Sequence, residues 1–277
     1  MWEVVAYGLT IGGILYIISI GFSLTFGSMR IVNFAHGLIY AVGAYALVTM
    51  LPLVKGNFLL AAVLAVLISL PVSYIIEKFV IRRLYGKSID YAIIASYAVL
   101  LMGVDLIKWI WGANPLPLSD PIGKNLAILS FEIPLYRVVI ILLSFLIFAG
   151  LSLFFKKTMI GKIVVAGLQD REAVQGLGID IDKYFAIVFL LGSALAALGG
   201  MLYGPISTVH PYMGFRVVTL CFAVVIVGGQ GNLRGTALAS YVLGMVMALT
   251  AWFWGPAADA MIFAVMAVVL IFRPIEF

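Results

Sequence analysis

The sequence predicts an all-α, polytopic membrane protein of about eight transmembrane helices, one of them discontinuous near residues 217–254. Three observations carry this prediction. Hydrophobic residues fill 64% of the 277 positions and charged residues only 10%, against about 45–50% and about 25% in an ordinary soluble domain. Mean hydropathy is +1.19. The apolar residues also gather in blocks near the roughly 20 residues that cross a hydrocarbon core, with polar residues confined to the links. Residues 1–277 therefore read as a single multi-pass domain in the cell membrane, with the lipid bilayer as its solvent.

The first block, Val4 to Phe26, carries Gly8, Gly12, Gly13 and Gly21, which permit close helix packing. MWEVVAYG has neither a basic n-region nor a small-residue cleavage pattern, so this block is expected to be retained as a span. A short link, Gly27 to Arg30, leads to a second span, Ile31 to Val54. The third is Phe58 to Val80, bent by Pro71. A basic link precedes the fourth, Tyr91 to Trp111, with Trp109 and Trp111 as interfacial anchors. The loop Gly112 to Leu135 holds four prolines. The fifth span is Tyr136 to Phe155 and the sixth Tyr184 to Tyr203, the latter with a small-residue face from Gly192 to Gly200. Beyond the loop Gly204 to Arg216, Val217 to Val227 is too short to cross. GGQGNLRG, Gly228 to Gly235, interrupts the helix there. Thr236 to Trp254 resumes it, and Ala257 to Phe272 is a last, short block.

Lysine and arginine orient the bundle. If the first six spans are complete, Arg30, Lys78, Arg82, Arg83, Lys87, Lys156, Lys157, Lys162, Arg171 and Lys183 share one side. Lys55, Lys124, Arg137 and Arg216 lie on the other. Ten against four predicts an external N-terminus and a cytoplasmic 156–183 loop. Lys108, Arg234 and Arg273 stay unassigned, as does the C-terminal topology.

Several classes of chemistry find no support. The net charge of +5 is dispersed between apolar blocks, so there is no nucleic-acid surface. The single cysteine, Cys221, rules out an internal disulfide, and two distant histidines without clustered acids make no metal centre. GKS at Gly86 to Ser88 lacks the upstream glycine of a phosphate loop, since Ile81 stands at that position. Asp105 and Lys108 are spaced i, i+3 for an intrahelical pair at the interface, and Glu77 beside Lys78 and Arg82 reads as boundary chemistry. No catalytic residue and no cofactor are predicted.

Two polar constellations at membrane depth are candidate path or gate residues. VNFAHG opens the second span and sets Asn33 and His36 at i, i+3 ahead of Gly37. These side chains either satisfy one another or a neighbouring backbone, or they line a polar path. The second is Gly228, Gly229, Gln230, Gly231 and Asn232. Three glycines in four residues unwind a helix, and freed backbone is tolerated at membrane depth only beside protein or a wet cavity. An ordinary glycine-rich turn is the alternative.

The loop 156–183 breaks the apolar sequence with dense charge of both signs. Asp170 is placed to cap a helix, Arg171 and Glu172 to form its first turn, and Ala173 and Leu177 to share a face at i, i+4. Gly176 and Gly178 end it after about two turns. A short charged helix between two spans suits contact with a soluble partner.

With these residues the chain resembles the permease subunits of branched-chain amino acid ABC importers. VNFAHG matches that family's second-span segment. DREAVQGLGID, Asp170 to Asp180, matches its long cytoplasmic loop and approximates the coupling pattern EAA-x3-G through Glu172, Ala173, Val174 and Gly178. GGQGNLRG matches its late glycine turn, and Leu202 to Gly204 and Pro211 to Phe215 fit too. Val174 departs from the second alanine, and Leu191 stands where the general pattern has a proline. The resemblance implies a non-catalytic pore half. Its partners would be a second permease, homologous or identical, two cytoplasmic ATPase subunits and an external solute-binding protein. Relatives within such a family carry urea, short amides or other amino acids. A self-sufficient secondary transporter or channel would call for buried paired acids, which the first, second, fifth and sixth spans lack.

Overall fold

The computed structural model describes residues 1–29, 31–128 and 131–272; Arg30 and the segment 273–277, including Arg273, lie outside them. Its helices are α1 (Trp2–Met29), α2 (Ala35–Leu53), α3 (Phe58–Phe79), α4 (Ile89–Trp111), α5 (Leu135–Lys157), α6 (Met159–Gln169), α7 (Arg171–Gly176), α8 (Ile181–Tyr203), α9 (Met213–Gly228), α10 (Leu233–Trp254) and α11 (Ala258–Phe272). Seven described helical stretches are long and apolar enough to cross a membrane, and α9 is a shorter apolar helix. The only strands among the described residues, β1 (Asn125–Ile128) and β2 (Phe131–Pro134), form an antiparallel hairpin in the proline-containing loop, where the sequence reading expected no regular structure.

The bundle is built around α1. Of its most apolar 18-residue window 83% is buried, against 22% for α5. Helices in lipid gain nothing from hiding apolar surface from one another, so close backbone approach supplies the attraction. The glycines of α1 provide it. Gly21 lies backbone-to-backbone on Gly192 of α8, Gly12 on Gly244 and Tyr241 of α10, and Gly27 on Gly231. α2 joins through Gly43 against Ala197 and Tyr40 against Gly200. In contrast, α3, α4 and α5 lie outside this nucleus and expose Leu67, Leu106 and Leu146.

The two ends of the bundle agree with the charge count. Gly27 to Met29, the Gly86–Ile89 linker and residues of α6 and α7 border one crevice of about 610 Å³. At the other end the Leu116–Val209 bridge joins the long α4–α5 loop to the α8–α9 loop.

Three differences from the sequence reading bear on the candidate site. α2 begins at Ala35, so Ile31 to Phe34 are not helical and Asn33 is not on the helix that carries His36. α9 extends back to Met213, because the backbone amides of Met213 and Phe215 find His210 and Tyr212 carbonyls. The break thus narrows to Gly229–Asn232, with Gly228 and Gly235 inside helices. Sixteen residues still give α9 only about 24 Å, short of a hydrocarbon core roughly 30 Å thick.

A side chain at Gly192 would meet the Gly21 backbone. Gly192→Val should therefore destabilise the bundle by about 1–3 kcal/mol, read as a drop in thermal unfolding temperature in detergent. Gly150→Val, on an open face of α5, should leave that temperature unchanged. Equal behaviour of the two would remove the glycine seam as the organising contact.

Candidate functional site

The segment Ile31–Phe34 is non-helical backbone inside the bundle. Ile31, Val32 and Asn33 are all buried. Backbone groups away from both water and helix need partners, and Ser96 of α4 provides for one of them. Its Oγ accepts from the Phe34 N–H at 3.0 Å, while its single proton is nearest the Ala92 carbonyl oxygen at 2.6 Å, ahead of the Val32 carbonyl oxygen at 3.2 Å. The α2 helix then starts, and the His36 Nε2 lies 3.0 Å from the carbonyl oxygen of Ile18 in the middle of α1. That carbonyl can only accept, so the bond puts the proton on Nε2. The His36 ring also meets Phe22 edge-on at 5.5 Å. Gly37 permits the next contact, backbone against backbone with Gly214 of α9.

Asn33 is the exception. Its side chain is 2% exposed, and neither Oδ1 nor Nδ2 has a hydrogen-bond partner. Asn33 and His36 do not bond to each other: His36 is satisfied by backbone, and Asn33 is left with an unused donor and acceptor. A buried amide in that state costs about 1–3 kcal/mol.

The second constellation packs on the last turns of the same helix. The Gly231 N–H donates to Ser23 Oγ at 3.0 Å, and Thr236 Oγ1 donates to the same oxygen at 3.1 Å. Gly229 and Gly231 take φ of +88° and +69°, a region that favours glycine, and this permits the tight α9–α10 turn. Asn232 is exposed and caps α10, its Oδ1 accepting from the Gly235 N–H at 3.1 Å. Gln230 Nε2 is buried without a partner. Both constellations therefore pack against α1, one near Ile18–Phe22 and the other near Ser23–Gly27. Ser96 and Ser23 escaped the sequence reading. The available signal for Ser96 was its place among Ala92, Leu100 and Val104 on the buried face of α4.

In the 156–183 loop, Asp170 Oδ1 accepts from the Ala173 N–H at 2.9 Å and so caps α7. The helix ends at Gly176, and Gly178 follows at φ +79°. Ala173 and Glu172 are exposed and Leu177 is 78% exposed, while Val174 is buried. The predicted Ala173–Leu177 face thus points away from the rest of the chain, and Val174 anchors the helix from beneath. A further helix, α6, precedes it and was not anticipated. The Lys183 ammonium, 3.1 Å from Asp180, holds that carboxyl below its usual range.

On the opposite side, a small cavity of about 50 Å³ is bordered by Tyr40, Tyr203, His210 and Arg216. Burial, then the charge of Arg216, pushes the His210 pKa below the ordinary histidine value.

Comparison with known proteins agrees with this architecture. Residues 4–271 match the family model described as branched-chain amino acid transport system / permease component. The chain is 27% identical to the high-affinity branched-chain amino acid transport system permease protein LivH of Escherichia coli K12, covering 96% of this chain and 92% of that protein. It is 28% identical, at the same coverages, to the corresponding permease protein BraD of Pseudomonas aeruginosa. Among solved structures, PsaBC from Streptococcus pneumoniae in complex with Fab superposes with a TM-score of 0.52 at 13% identity, over 96% of this chain and 89% of that one. The last likeness is one of fold.

His36→Leu should lower stability by about 1–3 kcal/mol, because the Ile18 carbonyl loses its donor. Asn33→Leu should leave stability unchanged or raise it, since no partner is lost. Chemical unfolding in detergent separates the two, and a large loss for Asn33→Leu would mean that its amide is satisfied. The pH dependence follows from His210. A folded pKa below about 6.5 contributes stability that is present above that value and is lost as pH falls through the folded pKa. The unfolding temperature should therefore fall as pH drops below about 6.5, and His210→Gln should flatten part of that slope. An unchanged slope would rule out His210.

Proposed function

The chain belongs to the family of permease components of branched-chain amino acid transport systems, and from that premise we propose that it forms half of the translocation pathway of an ATP-driven importer for branched-chain amino acids. It contributes no catalysis. A second permease subunit, homologous or identical, completes the pathway, two cytoplasmic ATPase subunits drive it, and an external solute-binding protein delivers the amino acid.

The observation that carries this reading is α7. It is capped by Asp170, anchored by buried Val174, and turns Ala173, Glu172 and Leu177 outward at the end of the bundle assigned to the cytoplasm. A short helix with a free apolar edge is suited to a cleft on a soluble subunit. Asp170, Glu172, Ala173, Val174, Leu177 and Gly178 constitute the coupling element.

Asn33, His36 and Gly37, together with Gly228, Gly229, Gln230, Gly231 and Asn232, are the proposed path or gate. Asn33 and Gln230 supply unsatisfied amide groups. Amides of this kind solvate a zwitterion in passage without holding it tightly. Backbone packing at Gly37–Gly214 and Gly27–Gly231 lets the surrounding helices approach closely enough to close behind it.

Ala173→Glu places a charge in the proposed contact. It should abolish most amino acid uptake while membrane insertion is retained, with uptake in proteoliposomes and ATPase co-purification as the two measurements. Full uptake with unchanged co-purification would reject the docking assignment.

A further inference from the structure

Besides the buried Val174, the coupling helix is tied to the bundle through the side chain of Arg171. Arg171, the first residue of α7, pairs with Asp182 at 2.6 Å. Its guanidinium also lies over the rings of Tyr85 and Phe185, 5.9 and 5.8 Å from their centroids. Tyr85 belongs to the α3–α4 linker and meets Phe185 edge-on at 6.4 Å. Its hydroxyl donates to Glu77 Oε1 at 3.3 Å. Glu77, in the last turn of α3, is completely buried and is gripped by the Arg82 fork at 3.0 and 3.1 Å. Four residues after Tyr85 the α4 helix begins. Ser96, two turns along it, holds the buried Ile31–Phe34 segment beside the unsatisfied Asn33.

These contacts form one continuous chain from an exposed helix to a polar position deep in the bundle. Forming an ion pair with a buried member gains little net stability over apolar packing. The Glu77–Arg82 pair instead fixes Tyr85 rigidly to the end of α3, so that movement of Arg171 is carried into the α3–α4 linker. We propose that Tyr85 is the positioning residue through which α7 moves the α3–α4 end of the bundle and, through Ser96, the non-helical segment that carries Asn33. This inference rests on the docking role proposed for α7 and adds the route by which docking reaches the path.

The test uses the complete importer in proteoliposomes. Tyr85→Ala should reduce amino acid taken up per ATP hydrolysed by about five-fold, with the ATPase subunits still co-purifying at the wild-type ratio. Tyr85→Phe keeps the ring beneath Arg171 and should recover most of the loss. Adding Arg171→Lys to Tyr85→Ala should bring less loss than Arg171→Lys brings alone, because the Arg171–Tyr85 contact is already gone while those to Asp182 and Phe185 remain. A cysteine introduced as Asn33→Cys, in a Cys221→Ala background, should change its labelling when nucleotide traps the ATPase, and Tyr85→Ala should abolish that change. Unchanged uptake per ATP, additive losses, or nucleotide-dependent labelling that survives Tyr85→Ala would each overturn the relay. Loss of the ATPase from Tyr85→Ala complexes would also overturn it, making the linker part of the docking surface and leaving the α7 assignment intact. A wild-type importer that never retains its ATPase would overturn the docking assignment and the relay with it.

Discussion

Backbone contact along α1 is the constraint on which the rest of the molecule depends. Apolar side chains are as well solvated by lipid tails as by one another, so a membrane bundle is held where helices touch closely enough for dense packing. Glycines set that distance. Gly12, Gly21 and Gly27 bring α10, α8 and the α9–α10 turn onto α1 without an intervening side chain. Once three partners occupy α1, little of it is left for lipid. α3 and α4, together with α5, which meets α1 through side chains at Gly13–Ser144 and Tyr16–Phe148, then become the outer wall.

This close packing leaves room for irregular backbone between the helices. In the non-helical segment before α2 the Phe34 N–H is answered by Ser96, and in the α9–α10 turn the Gly231 N–H is answered by Ser23. Each break lies in protein and has a hydroxyl beside it, as the absence of water requires. The amides of Asn33 and Gln230 alone remain unanswered among the side chains of the two constellations. Unpaired polar groups are costly where nothing else can bond them, and the path proposed above gives these two amides a passing solute as partner.

The end of the bundle that carries α6 and α7 follows a different logic. There charge is affordable, and it is used for connection. Asp170 stabilises α7, Arg171 attaches it to Tyr85 and Asp182, and Arg82 neutralises buried Glu77. The apolar contribution is Val174, which holds the helix down while Ala173 and Leu177 face outward. A helix of six residues has too few internal hydrogen bonds to persist alone. Cap, anchor and cation–aromatic contact together make it a defined element.

The sequence alone determined the membrane class, most span boundaries and the capped helix at Asp170, because these depend on local quantities: hydropathy over about twenty residues, and a cap three residues from its amide. The family resemblance was legible for the same reason, in short contiguous motifs. The tertiary structure decided what depends on partners far along the chain. Asn33 left the helix where Ser96, 63 residues later, offers its neighbour Phe34 a hydrogen bond that a helix would otherwise supply. α1 became the central helix because glycines on α8 and α10 match its own, and its uniformly apolar sequence marks no preferred face. Tyr85 acquired a role only when folding set it between Arg171 and Glu77. Hydropathy reports what a residue prefers as solvent; which neighbour supplies that environment is settled when the helices pack.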